Sequence, residues 1–349
     1  MHIAVDAMGG DHGPEPMVHG ALESLRESGV RLFLVGDESA IRREIAVHGE
    51  VPERVEIVHS DQVVGMEEAA IAPVRRKRRS SIRICAELVR DGRAQALVSA
   101  GNTGATMIAA KMVIGTIAGV DRPALAAVFP NRSGGRTVVL DVGANVGARI
   151  SHLRQFAVMG HFYAQEILSA PAPRVGLMSV GEEQAKGNEM TRRVFSVLER
   201  TGLNFIGNVE GRAVFDGSVD VIVCDGFVGN AILKASEAAV EMMSAMLEEE
   251  LRRSVVTRAG FVLARDAFRN LRRRTHYEET GGAPLLGVEG GCFVAHGRSG
   301  PTAIKNSILR ATEFCEARLH VRIRDKVAEL HSQEERLLGE ERPREVGAT

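Results

Sequence analysis

Short apolar runs recur along the chain and are separated by stretches in which the apolar residues have helical spacing. Helical stretches include Ile41–His48, Ser81–Arg90 and Arg154–Ser169. Many of the runs are too uniformly apolar for a strand with one face in water, which is typical of strands covered on both faces. The pattern predicts an α/β fold, with a three-layer, mostly parallel sheet and helices on both faces. We predict strands at His2–Val5, Leu32–Val35, Val55–Val58, Ala96–Val98, Leu125–Phe129, Thr137–Leu140, Val175–Met178, Val219–Val223 and Cys292–Ala295.

Five of the loops that follow these strands are rich in glycine, asparagine or aspartate. Their sequences are DAMGGDHG, SAGNTGA, LDVGANVG, SVGEEQAKGN and CDGFVGN. Ligands of open α/β sheets bind outside the carboxyl ends of the strands. We therefore expect the five loops to lie together at one edge of the sheet and to form one binding rim.

The alternation of strands and helices stops at Met242 and resumes after Tyr277, and the chain between them has a helical pattern. We predict one α/β catalytic body made of residues 1–241 and 278–330, from which a helical excursion, residues 242–277, protrudes. The stretch Thr302–Lys326 is predicted to form a closing helix. Residues 331–349 are predicted to be a charged C-terminal tail.

Composition narrows the classes of partner. The formal net charge is −1, aromatic residues make up 4% of the chain and tryptophan is absent, so we expect no nucleic-acid binding. The cysteines Cys85, Cys224, Cys292 and Cys315 are isolated, and we find no signal-peptide pattern. We therefore expect structural thiols in a reduced cytoplasm. The histidines are scattered and no H-E-x-x-H motif occurs, so no metal site is predicted.

Three of the polar loops have features of anion sites. Gly101–Gly104 (GNTG) precedes a helical pattern, whose N-terminal N–H groups and dipole favour an anion, and Asp141–Asn145 and Asp225–Asn230 are placed similarly. Neither the Walker motif G-x-x-x-x-G-K-S/T nor the dinucleotide fingerprint G-x-G-x-x-G occurs. Inorganic or terminal phosphate therefore fits better than ATP or NAD, and we predict no cofactor. A tight turn capped by Asn or Thr is the alternative for these loops.

Two further residues have chemistry that suits a site. Lys186, in the loop GEEQAKGN, is flanked by glycine and follows a strand, so its ammonium group is placed to clamp a phosphate. A surface lysine near a helix start is the alternative. His296, in AHGRS, is interpreted as a hydrogen-bonded turn residue in preference to a general base.

Eight motifs follow one another in an order that resembles a known family. They are MHIAVDAMGGDHGP, SAGNTGA, LDVGAN, GEEQAKGN, NVEGR, CDGFVGNAILK, GGAPLLGV and AHGRS. Together they resemble the bacterial phosphate acyltransferase family of phospholipid synthesis over roughly residues 1–325. The resemblance implies an enzyme that converts long-chain acyl-acyl-carrier-protein (acyl-ACP) and inorganic phosphate to acyl phosphate and free carrier protein. It also implies a fold similar to phosphate acetyltransferases and isocitrate/isopropylmalate dehydrogenases, a homodimer, and peripheral contact with the inner face of the cell membrane.

The implied reaction needs donors for phosphate, donors for the oxyanion of the tetrahedral intermediate, and a cation or proton donor near the leaving thiolate. We expect Lys186 and Asn230 to be the central catalytic pair. Asp6, Asp11 and Asp225 are expected to support the site, with Asp6 and Asp11 fixing Lys186 and the Asn amides by accepting hydrogen bonds; turn caps are the alternative. The expected phosphate-binding residues are Gly101, Asn102, Thr103, Gly104 and Asn145.

Two peripheral features fit the same substrate. The basic run Arg75, Arg76, Lys77, Arg78 and Arg79 is expected to dock the acidic carrier protein, a solvated face being the alternative. In the excursion, Phe261, Leu263 and Phe268 alternate with arginines, as in an interfacial membrane helix. A dimer or carrier-protein contact is the rival interpretation of this segment.

Three other functions remain open from the sequence. A short-chain phosphate acetyltransferase that uses coenzyme A would share the fold and the anion loops, but it gives the basic and apolar excursion no role. An NAD-dependent decarboxylating dehydrogenase is the alternative at the level of the fold. A non-catalytic membrane scaffold would leave the five polar loops without a role.

Overall fold

A computed structural model of the chain describes residues 1–275 and 281–340. The strands are β1 His2–Asp6, β2 Arg31–Gly36, β3 Val55–His59, β4 Ala96–Ser99, β5 Ala124–Pro130, β6 Arg136–Leu140, β7 Val175–Met178, β8 Phe205–Val209, β9 Val221–Val223, β10 Ala283–Leu286 and β11 Gly291–Val294. The helices are α1 Pro14–Glu27, α2 Glu38–Ala46, α3 Ile71–Arg76, α4 Ser81–Arg90, α5 Thr103–Ala109, α6 Ile150–Glu166, α7 Glu189–Leu198, α8 Ala213–Asp216, α9 Gly226–Arg252, α10 Val255–Leu263, α11 Arg265–Thr275, α12 Pro301–Glu316 and α13 Leu319–Glu340. A π-helical turn, Ala110–Ile114, follows α5.

The strands form one sheet in the order β3-β2-β1-β4-β11-β10-β5-β6-β9-β7-β8. The pairs that involve β10, and the pair of β5 with β6, are antiparallel, and the other neighbours are parallel. The predicted α/β class and the mostly parallel sheet are therefore confirmed. All nine predicted strands are present, with small shifts of their ends.

The expectation of one binding rim is wrong for the sheet as it is built. The strands β5 and β6 form an antiparallel hairpin, with Pro130 paired to Arg136, so β6 runs opposite to β5. Through β10 and β5, the strands β6, β9 and β7 run opposite to β1 and β4. The loops after β1 and β4 therefore leave one edge of the sheet, and the loops after β6, β7 and β9 leave the other. The polar loops therefore form two groups, and Thr103 from one group lines the same cavity as Gly143 and Asn230 from the other.

Both faces of the sheet are covered, as predicted. One apolar cluster contains Ile3, Met17, Phe156 and Ile304, which join β1 to α1, α6 and α12. A second cluster contains Ala4, Cys85, Ala105 and Ile222, which join β1 and β9 to α4 and α5. Residues 3 and 4 belong to opposite clusters because successive side chains of a strand point to opposite faces. This gives the three-layer arrangement of helix, sheet and helix.

The helices at the predicted boundaries differ in detail. The predicted start of the excursion, Met242, falls inside α9, which continues without a break from Gly226 to Arg252. None of the residues of α10 is buried, and α10 packs against α9 and α11. The predicted closing helix is two helices, α12 and α13, with Arg318 between them at φ 50°. The predicted tail from residue 331 continues α13 as far as Glu340, and residues 276–280 and 341–349 lie outside the described residues.

The four cysteines are free thiols, and three of them, Cys85, Cys224 and Cys292, are buried. Burial raises the pKa of Cys292 to about 12 and holds its thiol protonated. This agrees with the structural role predicted for these residues. In the part of the chain that the structure describes, no helix combines the length and the apolar character needed to cross a bilayer.

Candidate functional site

Asp141, the first residue after β6, organises the loop between β6 and α6. Its side chain is fully buried and accepts hydrogen bonds from the backbone N–H groups of Leu125 at 2.9 Å, Ala144 at 3.1 Å and Asn145 at 2.6 Å. Burial raises the pKa of Asp141, and the N–H donors oppose that rise. The carboxylate thus accepts the hydrogen bond of the Leu125 N–H and thereby attaches the loop to the start of β5.

Asp225 joins the same loop to α9. Its Oδ1 caps α9 by accepting from Phe227 N at 2.9 Å, and its Oδ2 accepts from Ala148 N at 2.7 Å. At Gly229, an added Cβ would lie 1.9 Å from the carbonyl oxygen of Asp141, so only glycine allows α9 to approach this closely. Asp225 thus caps α9 and attaches the loop after β6 to it, and its expected role in supporting the site stays a prediction.

A cavity of about 460 Å³ lies beside these loops, between β5 and the first turns of α9. Its walls are mainly apolar and include Leu125, Phe129, Val142, Phe215, Leu233 and Val240. The sheet is open at this point: β10 pairs with β5 only at Leu285↔Leu125 and Leu286↔Ala124, whereas β5 continues to Pro130. The cavity lies in this opening, with residues 126–130 on one side and residues 281–284 on the other.

Thr103 and Asn230, two of the predicted site residues, line this cavity together. Among the described residues, neither side chain has a hydrogen-bond partner within the protein. An added Cβ at Gly143, whose φ is 137°, would lie 3.5 Å from Asn230 Oδ1, so the amide stands directly beside the loop after β6. The structure therefore provides uncommitted polar groups at the wall of an apolar cavity, the usual composition of a small-molecule site.

The side chains of Asn102 and Asn145, in contrast, are committed to internal hydrogen bonds. Asn102 caps α5 by accepting from Ala105 N at 2.9 Å, and its amide donates to the carbonyl oxygens of Met66 and Glu68, both at 2.9 Å. The buried amide of Asn145 donates to Pro123 O at 2.8 Å and to Asp141 Oδ2 at 3.0 Å. Both residues therefore shape their loops. Their side-chain N–H groups face the protein.

The two glycines of the GNTG loop pack closely against neighbouring residues. The N–H of Gly101 donates to Ser99 Oγ at 3.0 Å, and an added Cβ at Gly104 would lie 2.8 Å from Ala70 Cβ. These contacts make Gly101 and Gly104 packing positions, with the amide of Gly101 already engaged. Thr103 is the member of the loop whose side chain is both exposed and uncommitted.

Lys186 lies on an exposed loop after β7 and does not line the cavity. The loop is attached to the body by Asn208 Nδ2, which donates to Glu183 O at 2.9 Å, and by an ion pair of Arg212 with Glu182 at 2.6 Å. Within the described ranges, the Nζ atom of Lys186 has no hydrogen-bond or ion-pair partner. The structure therefore does not bring Lys186 and Asn230 into contact, and it leaves the ammonium group of Lys186 available to an anion.

Asp6 is buried, and its carboxylate accepts from Ser99 Oγ at 2.7 Å and from Met8 N at 3.3 Å. Burial raises its pKa, against the effect of these donors. Asp11 is exposed, and its backbone N–H donates to Gly297 O at 2.8 Å. No contact of either carboxylate with Lys186 occurs in the described structure; the Asp6 carboxylate holds the turn of its own loop, and the supporting roles expected of Asp6 and Asp11 stay predictions.

His296 also lines the cavity and makes the turn predicted for it. Its Nδ1 accepts from Arg298 N at 3.2 Å, and its carbonyl oxygen accepts from Ser299 N at 2.9 Å. Across the described ranges, no group of three or more His, Cys, Asp or Glu side chains is arranged to hold a metal ion.

The basic run lies at the end of α3 and in the turn after it. Lys77 forms an ion pair with Glu68 at 2.5 Å, and Arg79 forms one with Asp61 at 3.1 Å. Arg75, Arg76 and Arg78 are exposed and, in residues 1–275 and 281–340, have no ion-pair partner. Three of the five predicted docking cations are therefore fully available to an acidic partner.

The residues predicted to contact a membrane lie on α10 and α11. Leu263 is 89% exposed and Phe261 is 38% exposed. The rings of Phe261 and Phe268 pack against each other with their centroids 5.1 Å apart. These helices thus present apolar side chains to their surroundings without a core beneath them.

Two kinds of site residue are missing from the sequence prediction. One is the organising role of Asp141, which the sequence prediction names only as the first residue of an anion-loop candidate; a carboxylate that directly follows a uniformly apolar strand must be buried and satisfied, and this position indicates the role. The other is the apolar face of α9, with Leu233 and Val240 spaced by two helical turns. Its periodicity was visible, but nothing local shows that it covers a cavity in place of a core.

Comparisons with known proteins identify relatives over nearly the whole chain. Residues 1–322 match the model of a family described as fatty acid synthesis protein. A phosphate acyltransferase of Trichlorobacter lovleyi is 47% identical over 94% of this chain and 95% of that protein. A phosphate acyltransferase of Geobacter sulfurreducens is 46% identical over 94% of each chain.

A solved structure shares the fold. A phosphotransacetylase from Streptococcus pyogenes superposes with a TM-score of 0.62, at 17% identity, over 90% of this chain and 94% of that chain. This likeness confirms the predicted similarity of fold to phosphate acetyltransferases.

Proposed function

Because the chain belongs to the phosphate acyltransferase family, we propose that it transfers a long-chain acyl group from acyl-ACP to inorganic phosphate. The products are acyl phosphate and free carrier protein, and the reaction is an early step of phospholipid synthesis. The observation that carries the proposal is the cavity between β5 and α9. It combines apolar walls for an acyl chain with the uncommitted polar groups of Thr103 and Asn230.

In the proposed reaction, an oxygen of phosphate attacks the thioester carbonyl carbon. A carbon–oxygen bond forms, the carbonyl oxygen carries negative charge in the tetrahedral intermediate, and the carbon–sulfur bond then breaks. The leaving thiolate takes up a proton as free carrier protein, whose thiol has an ordinary pKa near 8.5. Phosphate is largely dianionic near neutral pH, so the enzyme supplies mainly positioning and charge stabilisation.

The described contacts divide the roles. The amide of Asn230 and the hydroxyl of Thr103 donate to phosphate or to the carbonyl oxygen. The ammonium group of Lys186, free of internal partners among the described residues, clamps phosphate or the leaving sulfur when substrate brings its loop to the cavity. Asp141, Asn145 and Asp225 are positioning residues, because their hydrogen bonds hold the loop beside Asn230.

Two surfaces complete the proposal. Arg75, Arg76 and Arg78 receive the acidic carrier protein, and α10 with α11 rests at the surface of a membrane, where the sparingly soluble product is consumed. The protein acts as a homodimer with peripheral membrane contact. Exposed apolar side chains on α10, a helix with no buried residue, favour such contact.

The test is phosphate-dependent release of carrier-protein thiol from hexadecanoyl-ACP. The unchanged protein should release thiol only when phosphate is present, and acetyl-coenzyme A should be a much poorer substrate. Faster turnover of acetyl-coenzyme A would instead identify a short-chain phosphate acetyltransferase. Formation of NADH from a hydroxy acid, without any thiol release, would identify a dehydrogenase.

A further inference from the structure

The length of the cavity can be compared with that of an acyl chain. Asn230 and Glu241 both line it, and a helix rises 1.5 Å per residue, so the cavity follows α9 for about 16 Å. Residues 125–130 of β5 line the opposite wall and span about 16 Å as well. The hydrocarbon core of a bilayer is about 30 Å thick, so one leaflet, which is one acyl chain deep, measures about 15 Å. The cavity is therefore as long as a membrane acyl chain.

The chemistry of the wall changes along this length. The uncommitted polar side chains of the wall are Asn230, which stands beside Gly143, and Thr103. Further along α9 come Leu233 and Val240, and opposite them Phe129 and Phe215, so the middle of the cavity is apolar. Lys234 and Glu237, paired at 2.8 Å, keep their charges along the rim of this face. One polar end and an apolar shaft match a carbonyl group followed by a hydrocarbon tail.

The far end of the cavity opens onto further apolar surface. Val240 is 37% exposed, and the next turns of α9 expose Met242, Met243 and Met246 by 57%, 66% and 59%. This surface leads along α9 to α10, which has no buried residue. A chain that enters at Asn230 and extends past Val240 thus meets further apolar groups, although Glu241 also lines this end of the cavity.

We propose that the groove between β5 and α9 is the acyl-chain subsite, with the thioester carbonyl at Asn230, and that Val240 sets the longest chain that is fully enclosed. The proposal rests on the proposed function, since it names the part of the site that selects the acyl group. Val240 is a specificity-determining residue. Its side chain stands at the exit of the groove, so enlarging it shortens the enclosed length without touching the reacting atoms.

The experiment compares kcat/KM for hexadecanoyl-ACP and octanoyl-ACP. The measured ratio is kcat/KM for hexadecanoyl-ACP divided by kcat/KM for octanoyl-ACP. In Val240→Trp this ratio should fall at least tenfold through loss of activity on the longer chain, while octanoyl-ACP is turned over as before. The matched control is Ala235→Trp, which adds the same side chain to an exposed position on the opposite face of α9. Its ratio should equal that of the unchanged protein. Val240→Ala should raise the ratio.

Binding of hexadecanoic acid, followed by calorimetry, separates failure of the subsite from failure of the reaction. If the unchanged protein binds the acid and Val240→Trp does not, the subsite stands even where thiol release is absent, and the proposed reaction is wrong. If turnover is present and the ratio of Val240→Trp stays within twofold of that of the unchanged protein, the subsite is wrong. A change in oligomeric state of Val240→Trp with an unchanged ratio would assign the groove to a second copy of this chain.

Discussion

At the scale of single residues, the site separates groups that shape loops from groups that remain available to a ligand. Asn102, Asn145 and Asp141 have their polar atoms engaged by backbone groups, whereas Thr103, Asn230 and Lys186 have no such partner in the described ranges. An unpaired polar group that faces a cavity gains most from a bound ligand, because internal hydrogen bonds need not be broken first. Thr103 and Asn230 face the cavity, and Lys186 is free on an exposed loop, so substitutions in the second group should affect turnover more than stability.

Lys186→Ala tests this separation. Removing a charge contact to the transition state costs about 3 kcal/mol, so kcat should fall by about two orders of magnitude. Thermal unfolding should be unchanged, because the ammonium group has no partner among the described residues. Lys326→Ala, which removes a surface ion pair with Glu329, is the matched control and should leave kcat intact. Near-normal turnover of folded Lys186→Ala would remove this lysine from the mechanism.

Asp6→Asn gives a test by pH. Burial raises the folded pKa of Asp6 above its usual value of 3.8, so folding favours the protonated carboxyl. This contribution to stability is present below the unfolded pKa and is lost as pH rises through the folded pKa, whereas asparagine stays neutral throughout. The free energy of unfolding of the unchanged protein, relative to Asp6→Asn, should therefore decrease as pH rises above about 4.

Urea unfolding across that pH range measures the difference for Asp6→Asn. Two curves that stay parallel would show that the pKa of Asp6 is the same in the folded and the unfolded chain, which would contradict the prediction. Because its described partners are Ser81, Ser99 and Met8, none of them a cationic group, the KM for phosphate should scarcely change. A large rise in that KM would show that Asp6 orients cationic donors after all.

At the scale of elements, sequence patterns predicted the strands far better than their directions. Uniform apolar runs identified nine strands, because burial on both faces leaves a local trace. The two strands that were missed, β8 and β10, lack that trace: β8 contains Gly207 at φ 101°, and β10 is four residues long and contains Pro284. Proline removes a ladder donor and makes a short run resemble a loop.

A local sequence feature indicates the direction of the strands in the second half of the sheet. The segment between β5 and β6, NRSGG, is a five-residue connection with two glycines between apolar runs, which is a hairpin signature. A hairpin there reverses every strand that follows in parallel with β6. The five polar loops therefore form two groups at opposite edges of the sheet and not the single rim that was expected. The loops themselves are the ones predicted from the sequence.

The paired helices α10 and α11 can be tested as an element. Replacing Phe261, Leu263 and Phe268 by serine should release the protein from vesicles that contain anionic lipid, while turnover of acyl-ACP persists, because these side chains are remote from the cavity lining. Arginines near the surface each add about 1 kcal/mol to binding, so binding should weaken with salt. Vesicle sedimentation is the measurement.

The control variant replaces Val47 and Val51 by serine. These two residues are exposed and apolar and do not belong to α10 or α11. It should sediment with vesicles as the unchanged protein does. If the serine variant of α10 and α11 still sediments, the membrane interpretation is wrong. If it loses its dimeric state instead, the two helices form a subunit interface.

At the scale of the whole molecule, any electrostatic attraction of an acidic partner must come from a local cluster of positive charge. The formal net charge is −1, so the protein as a whole does not attract an acidic partner. Arg75, Arg76 and Arg78 are exposed together beside α5, whose first residue, Thr103, lines the cavity. A cluster of one sign close to a site raises the association rate of an oppositely charged partner, and the effect falls with ionic strength. An acidic carrier protein would thus be steered to the face that holds its thioester target.

Replacing these three arginines by glutamate tests the steering. The kcat/KM for acyl-ACP at low salt should fall about tenfold, through a higher KM, with kcat nearly unchanged, because encounter is slowed and the chemistry is not. The difference from the unchanged protein should shrink as salt is added, since screening removes the same attraction from both. The matched control carries Arg26→Glu, Arg43→Glu and Arg200→Glu, which change the net charge equally on other exposed surfaces. If both variants lose the same kcat/KM, net charge rather than a docking surface governs the encounter, and the basic run is an ordinary solvated face.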